Sequence, residues 1–299
     1  MTLNQTIINQ WGVWQCSDHR VTNPATGEIV DDYSVKQIIL QCTDGTALLA
    51  YAGAGKVSSV DLSDWIRETI RGESYTLDQT LILIRENATR DLAPHLLARG
   101  IRHMFSIGAF LAGRPWAIQI RNFNAPSGVP SEVVLNRFET IAKVVDPGQG
   151  LVFIYPHAIL GPDQRKLMTL ANRKPRTPKE FRDLLASINR RFAATPSGRK
   201  TVSPGCVTSY MPPKGQPVES EFHGGTAGPT PLVIPTLLFG IDTTEIQRTL
   251  MERMKRMNEV GAVSSSPDNT GLSPQQERAA KESVLPRNRL RPGPGRPKK

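Results

Sequence analysis

The chain opens Met1-Thr2-Leu3-Asn4-Gln5-Thr6-Ile7-Ile8, continues Trp11-Gly12-Val13-Trp14-Gln15-Cys16-Ser17-Asp18-His19-Arg20-Val21-Thr22, and reaches Val35-Lys36-Gln37-Ile38 after a polar loop. Residues 3–9 and 11–17 read as two strands, with Asn9-Gln10 at the turn. A threonine beside the initiator methionine, two strands, then an Asp, an Arg and a Lys is an order that suits a nucleophile placed at the chain's own N-terminus. A threonine hydroxyl is weak, but a free α-amino group on the same residue can take its proton. A lysine ammonium lowers the pKa of neighbouring acids, and a carboxylate can hold that lysine in place. A second residue as small as Thr2 predicts removal of Met1, which would expose the amine without a propeptide.

These residues resemble the start of the N-terminal nucleophile hydrolases of the proteasome type, the proteasome β subunits and the peptidase subunit of the simpler bacterial ATP-dependent protease. Thr2 to Asp18 matches the family spacing without a gap, and Gly12-Val13 falls where the family has its strand-opening Gly-Val. Asp18-His19-Arg20-Val21-Thr22 falls on the Asp-x-Arg-x-Thr-like signature, and Lys36-Gln37-Ile38 on the lysine strand after a slightly longer loop. Leu48-Leu49-Ala50-Tyr51-Ala52-Gly53-Ala54-Gly55 resembles the family's Ala-Gly turn. The resemblance implies Thr2 as nucleophile, Lys36 tuning the proton chemistry, Asp18 orienting Lys36, Arg20 supporting the loop, and a backbone amide near Gly53 holding the oxyanion. It implies a peptide or amide substrate, no metal or organic cofactor, and a homo-oligomer.

The same residues have ordinary readings. Thr2 is the second residue of many proteins that are not enzymes, and Asp18 with Arg20 can be an exposed turn pair worth under about 1 kcal/mol. Lys36 can be a strand lysine on a polar face. The chain also departs from the family. Leu151–Tyr155 runs into Pro156-His157-Ala158-Ile159-Leu160-Gly161, where a Gly-Ser pair would assist the nucleophile. Ser203 and Ser209 are the nearest candidates for the family's later serine. A catalytically inactive scaffold or assembly subunit of the same fold is therefore one alternative to a threonine-type hydrolase, and a nucleic-acid-associated protein acting through its basic tail is the other.

Beyond the motifs, the elements follow a regular order. Val35–Cys42 and Thr46–Ala52 read as a hairpin across Thr43-Asp44-Gly45. Asp61–Arg71 and Thr76–Arg99 carry apolar residues at helical spacing, the second with Pro94 kinking it or starting a new turn. Ile101–Phe110, Pro115–Arg121, Val133–Asp146 and Leu151–Tyr155 read as strands. Asp163–Ala171 and Pro178–Ala194 read as helices, and Thr201–Met211 with Gln216–Phe222 as a final strand pair. Strands, two helices, strands, two helices, strands, mostly joined as hairpins, give an α+β chain. Two antiparallel sheets between helix pairs, a four-layer αββα sandwich, is the expected architecture. A helix over Thr243–Met257, with Ile246, Leu250, Met254 and Met257 along one side, is expected to pack on the domain. The expected domain spans 1–260, and the Ser/Pro/Gln-rich stretch 261–299 is expected to be disordered.

Composition narrows the function classes. Hydrophobic residues at 38% and charged residues at 21% suit a soluble globular chain, and no apolar run reaches the roughly 18 residues of a membrane span. With no basic, apolar leader at the N-terminus, a cytoplasmic protein without membrane contact is expected. Cys16, Cys42 and Cys206 have no paired spacing, and the five histidines have none that suits a metal. Ala50 to Val57 fails as a phosphate loop, because Ala50 stands for its first Gly and Val57 for its magnesium-binding Ser or Thr. Gly224-Gly225-Thr226 resembles a self-cleavage point but comes too late to leave a folded domain behind it.

The net charge of +10 is concentrated at the end. Six of those charges are Arg287, Arg289, Arg291, Arg296, Lys298 and Lys299, with no acid after Pro286. Gly295-Arg296-Pro297-Lys298-Lys299 is similar to the core of an AT-hook but has Pro294 where that motif has a basic residue. Arg291, Arg296, Lys298 and Lys299 are thus expected to give weak, salt-sensitive affinity for nucleic acid or another polyanion. Removing residues 261–299 should abolish retention on DNA at low salt and leave any hydrolysis unchanged. A gel shift of full-length and truncated chains at two salt concentrations reads this directly, and persistent binding would move the basic surface to the body.

Overall fold

A computed structural model describes residues 3–23, 26–57, 60–72, 74–124, 132–155, 162–213, 216–224 and 233–264. Thr2, Pro156–Gly161, Gly225-Thr226 and the basic residues of the tail lie outside the described residues. The chain divides into two units, Met1–Glu252 and Arg253–Lys299. The second is described only over Arg253–Ser264, as helix.

In the first unit, β1 (Asn4–Asn9) and β2 (Gly12–Asp18) form the opening hairpin. A small ribbon, β3 (Val21–Thr22) and β4 (Ile29–Asp31), follows, and then β5 (Gln37–Gln41) and β6 (Gly45–Ala52). A second ribbon, β7 (Lys56–Val57) and β8 (Val60–Asp61), leads into α1 (Leu62–Ile70) and α2 (Leu77–Asn87). Asp61 caps α1 on Ser63 N–H, and Thr76 with Gln79 forms a capping box on α2. The helical stretch is interrupted at Pro94, as expected, and a new helix starts there. A π-turn over Ala88–Leu92, with Ala93 N–H bonded to Ala88 O, separates α2 from α3 (Ala93–Ala98). Pro94 cannot donate to the carbonyl four residues back, and the ladder shifts by one residue just before it.

The chain continues through β9 (Met104–Leu111), β10 (Arg114–Asn124), β11 (Val133–Val144) and β12 (Gly150–Tyr155), then α4 (Pro162–Ala171), α5 (Pro178–Ala193) and α6 (Gly198–Thr201). It closes with β13 (Cys206–Met211), β14 (Glu219–His223), β15 (Thr236–Leu238), β16 (Ile241–Asp242) and α7 (Thr244–Ser264). The expected strand from Thr201 begins only at Cys206, because Pro204 and Gly205 interrupt the ladder. The first sheet has the order β12-β1-β2-β13-β14, the second β11-β10-β9-β6-β5-β15-β16. All pairs are antiparallel except β15 on β5, Thr236 opposite Ile39. β15 reaches that edge from the other sheet and no hairpin fixes its direction. Neither β15 nor β16 has the length to be read from sequence.

Three main apolar clusters follow the alternation of the strands. Trp14 and Cys16 of β2 and Ile7 of β1 meet Leu167 of α4 and Phe181, Leu185 and Ile188 of α5. Residues of the other parity, Ile8 and Val13, meet Leu48, Phe110 and Ala117 of the second sheet. Ile38, Leu49, Phe105 and Ile107 meet Leu62, Ile66, Leu81 and Ile84 of α1 and α2. The two sheets approach closely at Gly108, where a Cβ would lie 2.4 Å from Val13 Cγ1 and 3.3 Å from Ile8 Cδ1. Towards Asp18 the space between the sheets turns polar. Gln15 Nε2 donates to Ser106 O at 3.2 Å, Gln37 Nε2 to Val207 O at 3.1 Å, and Ser209 Oγ to Gln37 Oε1 at 2.6 Å.

One packing expectation fails. In the first unit the α7 residues Ile246, Leu250 and Met251 are 60%, 53% and 47% exposed, so their side of the helix is uncovered. In the second unit, Met254 and Met257 are exposed as well. Helical periodicity identified the stripe without saying what would cover it, and the helix continues past its expected end at Met257 to Ser264.

Gly108→Ala should destabilise the fold by about 1–3 kcal/mol through overpacking against Val13. Val13→Ala in the same chain should restore part of that loss, a favourable coupling that a denaturant double-mutant cycle measures. Strict additivity would mean that the two sheets do not meet at this point.

Candidate active site

The end of β2 carries the candidate site. Asp18 is fully buried, and its carboxylate is shared among three donors. Oδ2 accepts from Leu3 N–H at 2.7 Å, while Oδ1 accepts from Lys36 Nζ at 2.7 Å and from Arg20 N–H at 2.7 Å. Asp18 N–H returns a bond to Leu3 O at 3.3 Å. Leu3 is the residue directly after Thr2, so the carboxylate that holds Lys36 also holds the chain one residue from the candidate nucleophile. Thr2 itself lies outside the described residues.

Lys36 stands just before β5, and Tyr51 N–H donates to its carbonyl at 3.2 Å. Its side chain is 1% exposed and Nζ also donates to Arg20 O. Burial lowers its pKa from the ordinary lysine value, and the Asp18 carboxylate opposes that shift, with smaller help from Asp31 and Asp32. The ion pair is therefore internal to the fold, and the exposed-turn reading of Asp18 and Arg20 does not hold. Arg20 is buried and forked onto Asp32, with Nε to Oδ1 at 2.6 Å and Nη2 to Oδ2 at 3.0 Å, while Nη1 donates to Arg199 O at 2.5 Å. It ties the loop after β2 to α6.

Gly53, just past the end of β6, has φ +120°, and a Cβ there would lie 2.5 Å from Arg102 O. Only glycine avoids both strain and collision at this turn. Gly55 packs on Val21, where a Cβ would come within 2.7 Å of Cγ1, so this turn lies against the segment that follows Asp18. Ala54 N–H is committed to His103 Nδ1 at 3.2 Å.

Asp18, Lys36 and Arg20 are thus brought together, with the Gly53–Gly55 turn beside them. The two serines considered as helpers are used elsewhere. Ser203 Oγ donates to Gly205 O at 2.5 Å and accepts from His19 N–H at 3.1 Å, and Ser209 Oγ is held by Gln37. Asp32 and the Arg199 carbonyl, which hold Arg20, are not among the sequence candidates. Asp31-Asp32 in the polar loop after an arginine was the one available signal for the Arg20 partner. Cys16, Cys42 and Cys206 are buried free thiols, and no cluster of three metal-ligating side chains occurs among the described residues. No helix among the described residues is long and apolar enough to cross a membrane.

The chain matches no family model and no curated protein. Several solved structures are similar in fold at low identity. An Anbu (Gly-1) mutant from Hyphomicrobium sp. strain MC1 has a TM-score of 0.45 and 13% identity, over 74% of this chain and 88% of that one. The helical assembly of the Anbu complex from Pseudomonas aeruginosa has a TM-score of 0.46 and 14% identity, over 90% and 100%. Anbu (ancestral beta-subunit) from Yersinia bercovieri has a TM-score of 0.45 and 12% identity, over 91% and 99%.

Breaking a buried pair strands one charge, so Asp18→Asn or Lys36→Met alone should cost about 3–5 kcal/mol. The double variant should cost clearly less than the sum, which chemical denaturation of the four proteins tests. Because the folded pKa of Lys36 is lowered, the unfolded chain binds more protons between that value and about 10.4. Stability conferred through this residue should therefore rise with pH across that window, and the rise should be missing in Lys36→Met.

Proposed function

We propose that the chain is a threonine-type N-terminal nucleophile hydrolase of amide or peptide bonds, built as a four-layer αββα sandwich. The observation that carries the reading is the Asp18 carboxylate, which spans Leu3 N–H and Lys36 Nζ at 2.7 Å each. That bridge sets a buried ammonium close to the start of the chain. Thr2 follows as the nucleophile once Met1 is removed. Its hydroxyl attacks the carbonyl carbon while its own amine takes the proton and returns it to the leaving nitrogen as the C–N bond breaks. Water, deprotonated by the same amine, then cleaves the acyl ester on Thr2 and restores the hydroxyl. Lys36 stabilises the charge developing at the hydroxyl, Asp18 holds Lys36, Arg20 holds the loop, and a backbone N–H near Gly53 stabilises the oxyanion. The three apolar clusters, helices against one sheet, sheet against sheet, and the second sheet against the other helices, support the layered architecture.

A second reading keeps the fold without catalysis, as an assembly subunit. Two observations favour it: Ser203 and Ser209 are bonded away from Lys36, and the apolar side of α7 is uncovered. The same stripe supports a homo-oligomer under either reading. A cytoplasmic location goes with both proposals.

Intact mass of untagged protein should show loss of Met1 and, after a peptide epoxyketone, one added inhibitor mass. Thr2→Ala and Lys36→Met should both abolish the adduct. Retained Met1 would end the Thr2 mechanism. Loss of Met1 with no adduct, together with a discrete oligomer by light scattering, would favour the assembly subunit.

A further inference from the structure

His103 is a buried group that the proposed chemistry does not use. It stands just before β9, fully buried among Tyr51, Phe105 and Phe138, with ring centroids 6.3, 4.8 and 6.0 Å away. Its Nε2 has no hydrogen-bond partner among the described residues. A buried unpaired donor costs about 1–3 kcal/mol, and a phenylalanine would fill an aromatic cluster without that cost. What histidine adds is Nδ1, which accepts Ala54 N–H at 3.2 Å.

The rest of the arrangement fixes that acceptor. Asn122 of β10 is fully buried and clamps the backbone beneath His103 from both sides. Its Oδ1 accepts His103 N–H at 2.6 Å, its Nδ2 donates to Ile101 O at 3.0 Å, and its own N–H donates to His103 O at 3.2 Å. The Gly53 turn lies directly on this platform, since a Cβ at Gly53 would meet Arg102 O at 2.5 Å, His103 Nδ1 at 2.8 Å and His103 Cα at 2.9 Å. Gly53 is pressed on the platform from above and Ala54 is bonded to it.

We infer that His103 is the positioning residue of the Gly53–Ala54 turn: its neutral Nδ1 captures Ala54 N–H and thereby fixes the direction of the amides at Gly53. The catalytic consequence rests on the proposed hydrolase reading, in which an amide of this turn faces the oxyanion; the positioning itself does not. Accepting at Nδ1 requires the ring to carry its proton on Nε2. Burial agrees, pushing the ring's pKa down to about 3, so that it stays neutral at working pH.

The test uses the full chain. In the wild type, ring 15N shifts should identify His103 as the Nε2–H tautomer, unchanged from pH 8 down to pH 5. A ring protonated at Nδ1, or one titrating near 6.5, would overturn the proposal. Hydrogen exchange at Ala54 should be slow in the wild type and in His103→Gln, whose amide oxygen can accept the same bond. It should be at least tenfold faster in His103→Phe, while core amides such as Ile107 keep their protection; equal Ala54 exchange in all three proteins would also overturn it. If the wild type forms the epoxyketone adduct, His103→Phe should form it about 100-fold more slowly with little change in half-saturating concentration, and His103→Gln should recover most of the rate. If the wild type forms no adduct, that result bears on the hydrolase reading alone, and the tautomer and exchange results still decide the role of His103.

Discussion

One buried carboxylate holds the first strands, the lysine strand and the loop between them in a single arrangement. Asp18 accepts from Leu3 N–H, Arg20 N–H and Lys36 Nζ, so it fixes the start of β1, the exit of β2 and the approach to β5. A carboxylate and an ammonium, each almost wholly removed from water, lose several kcal/mol of hydration apiece. Their mutual attraction and the added backbone bonds must offset that loss. A well-packed apolar pair would achieve the same stability with less risk, so the pair is better explained by what it positions than by what it stabilises. Arg20 carries the same logic outward through Asp32 and Arg199 O, linking the loop to α6.

Much of this was legible because two kinds of signal coincide in the opening residues. Alternation in Ile7, Ile8, Val13 and Trp14 set β1 and β2, and the family resemblance carried by Thr2, Asp18 and Lys36 implied the pairing of Asp18 with Lys36. Where local chemistry determines structure, sequence was sufficient: Asp44-Gly45 for the β5–β6 hairpin, Thr76 with Gln79 for the start of α2, Thr177-Pro178 for α5. It was insufficient where the outcome depends on distant partners. Thr236–Leu238 is too short to read as a strand, and only the exposed edge of β5 makes it one. His103 and Asn122 are isolated polar residues in strand-like surroundings, and nothing local joins them to Gly53. The uncovered side of α7 follows the same rule, since periodicity tells which residues share a face but not whether anything lies opposite.

The space between the two sheets completes the physical account. At one end it is apolar, with Ile8, Val13, Leu48 and Phe110 in contact and Gly108 permitting close approach. Nearer Asp18 it is lined by Asn4, Thr6, Gln15, Ser17, Gln37, Ser106 and Ser209, all buried. Several polar atoms there lack partners among the described residues, including both side-chain atoms of Asn4, Gln15 Oε1 and Ser17 Oγ. Asn4 and Ser17 stand opposite each other in the β1–β2 register, beside Leu3 and Asp18. Each unmet group costs free energy that leucine or valine at the same position would avoid. A group of such departures lies at the end of the interior that also holds the Asp18–Lys36 pair and the first described residues of the chain. Under the proposed hydrolase reading, this polar end of the interior is where the reacting groups would stand, and it supports that reading beside the Asp18 bridge.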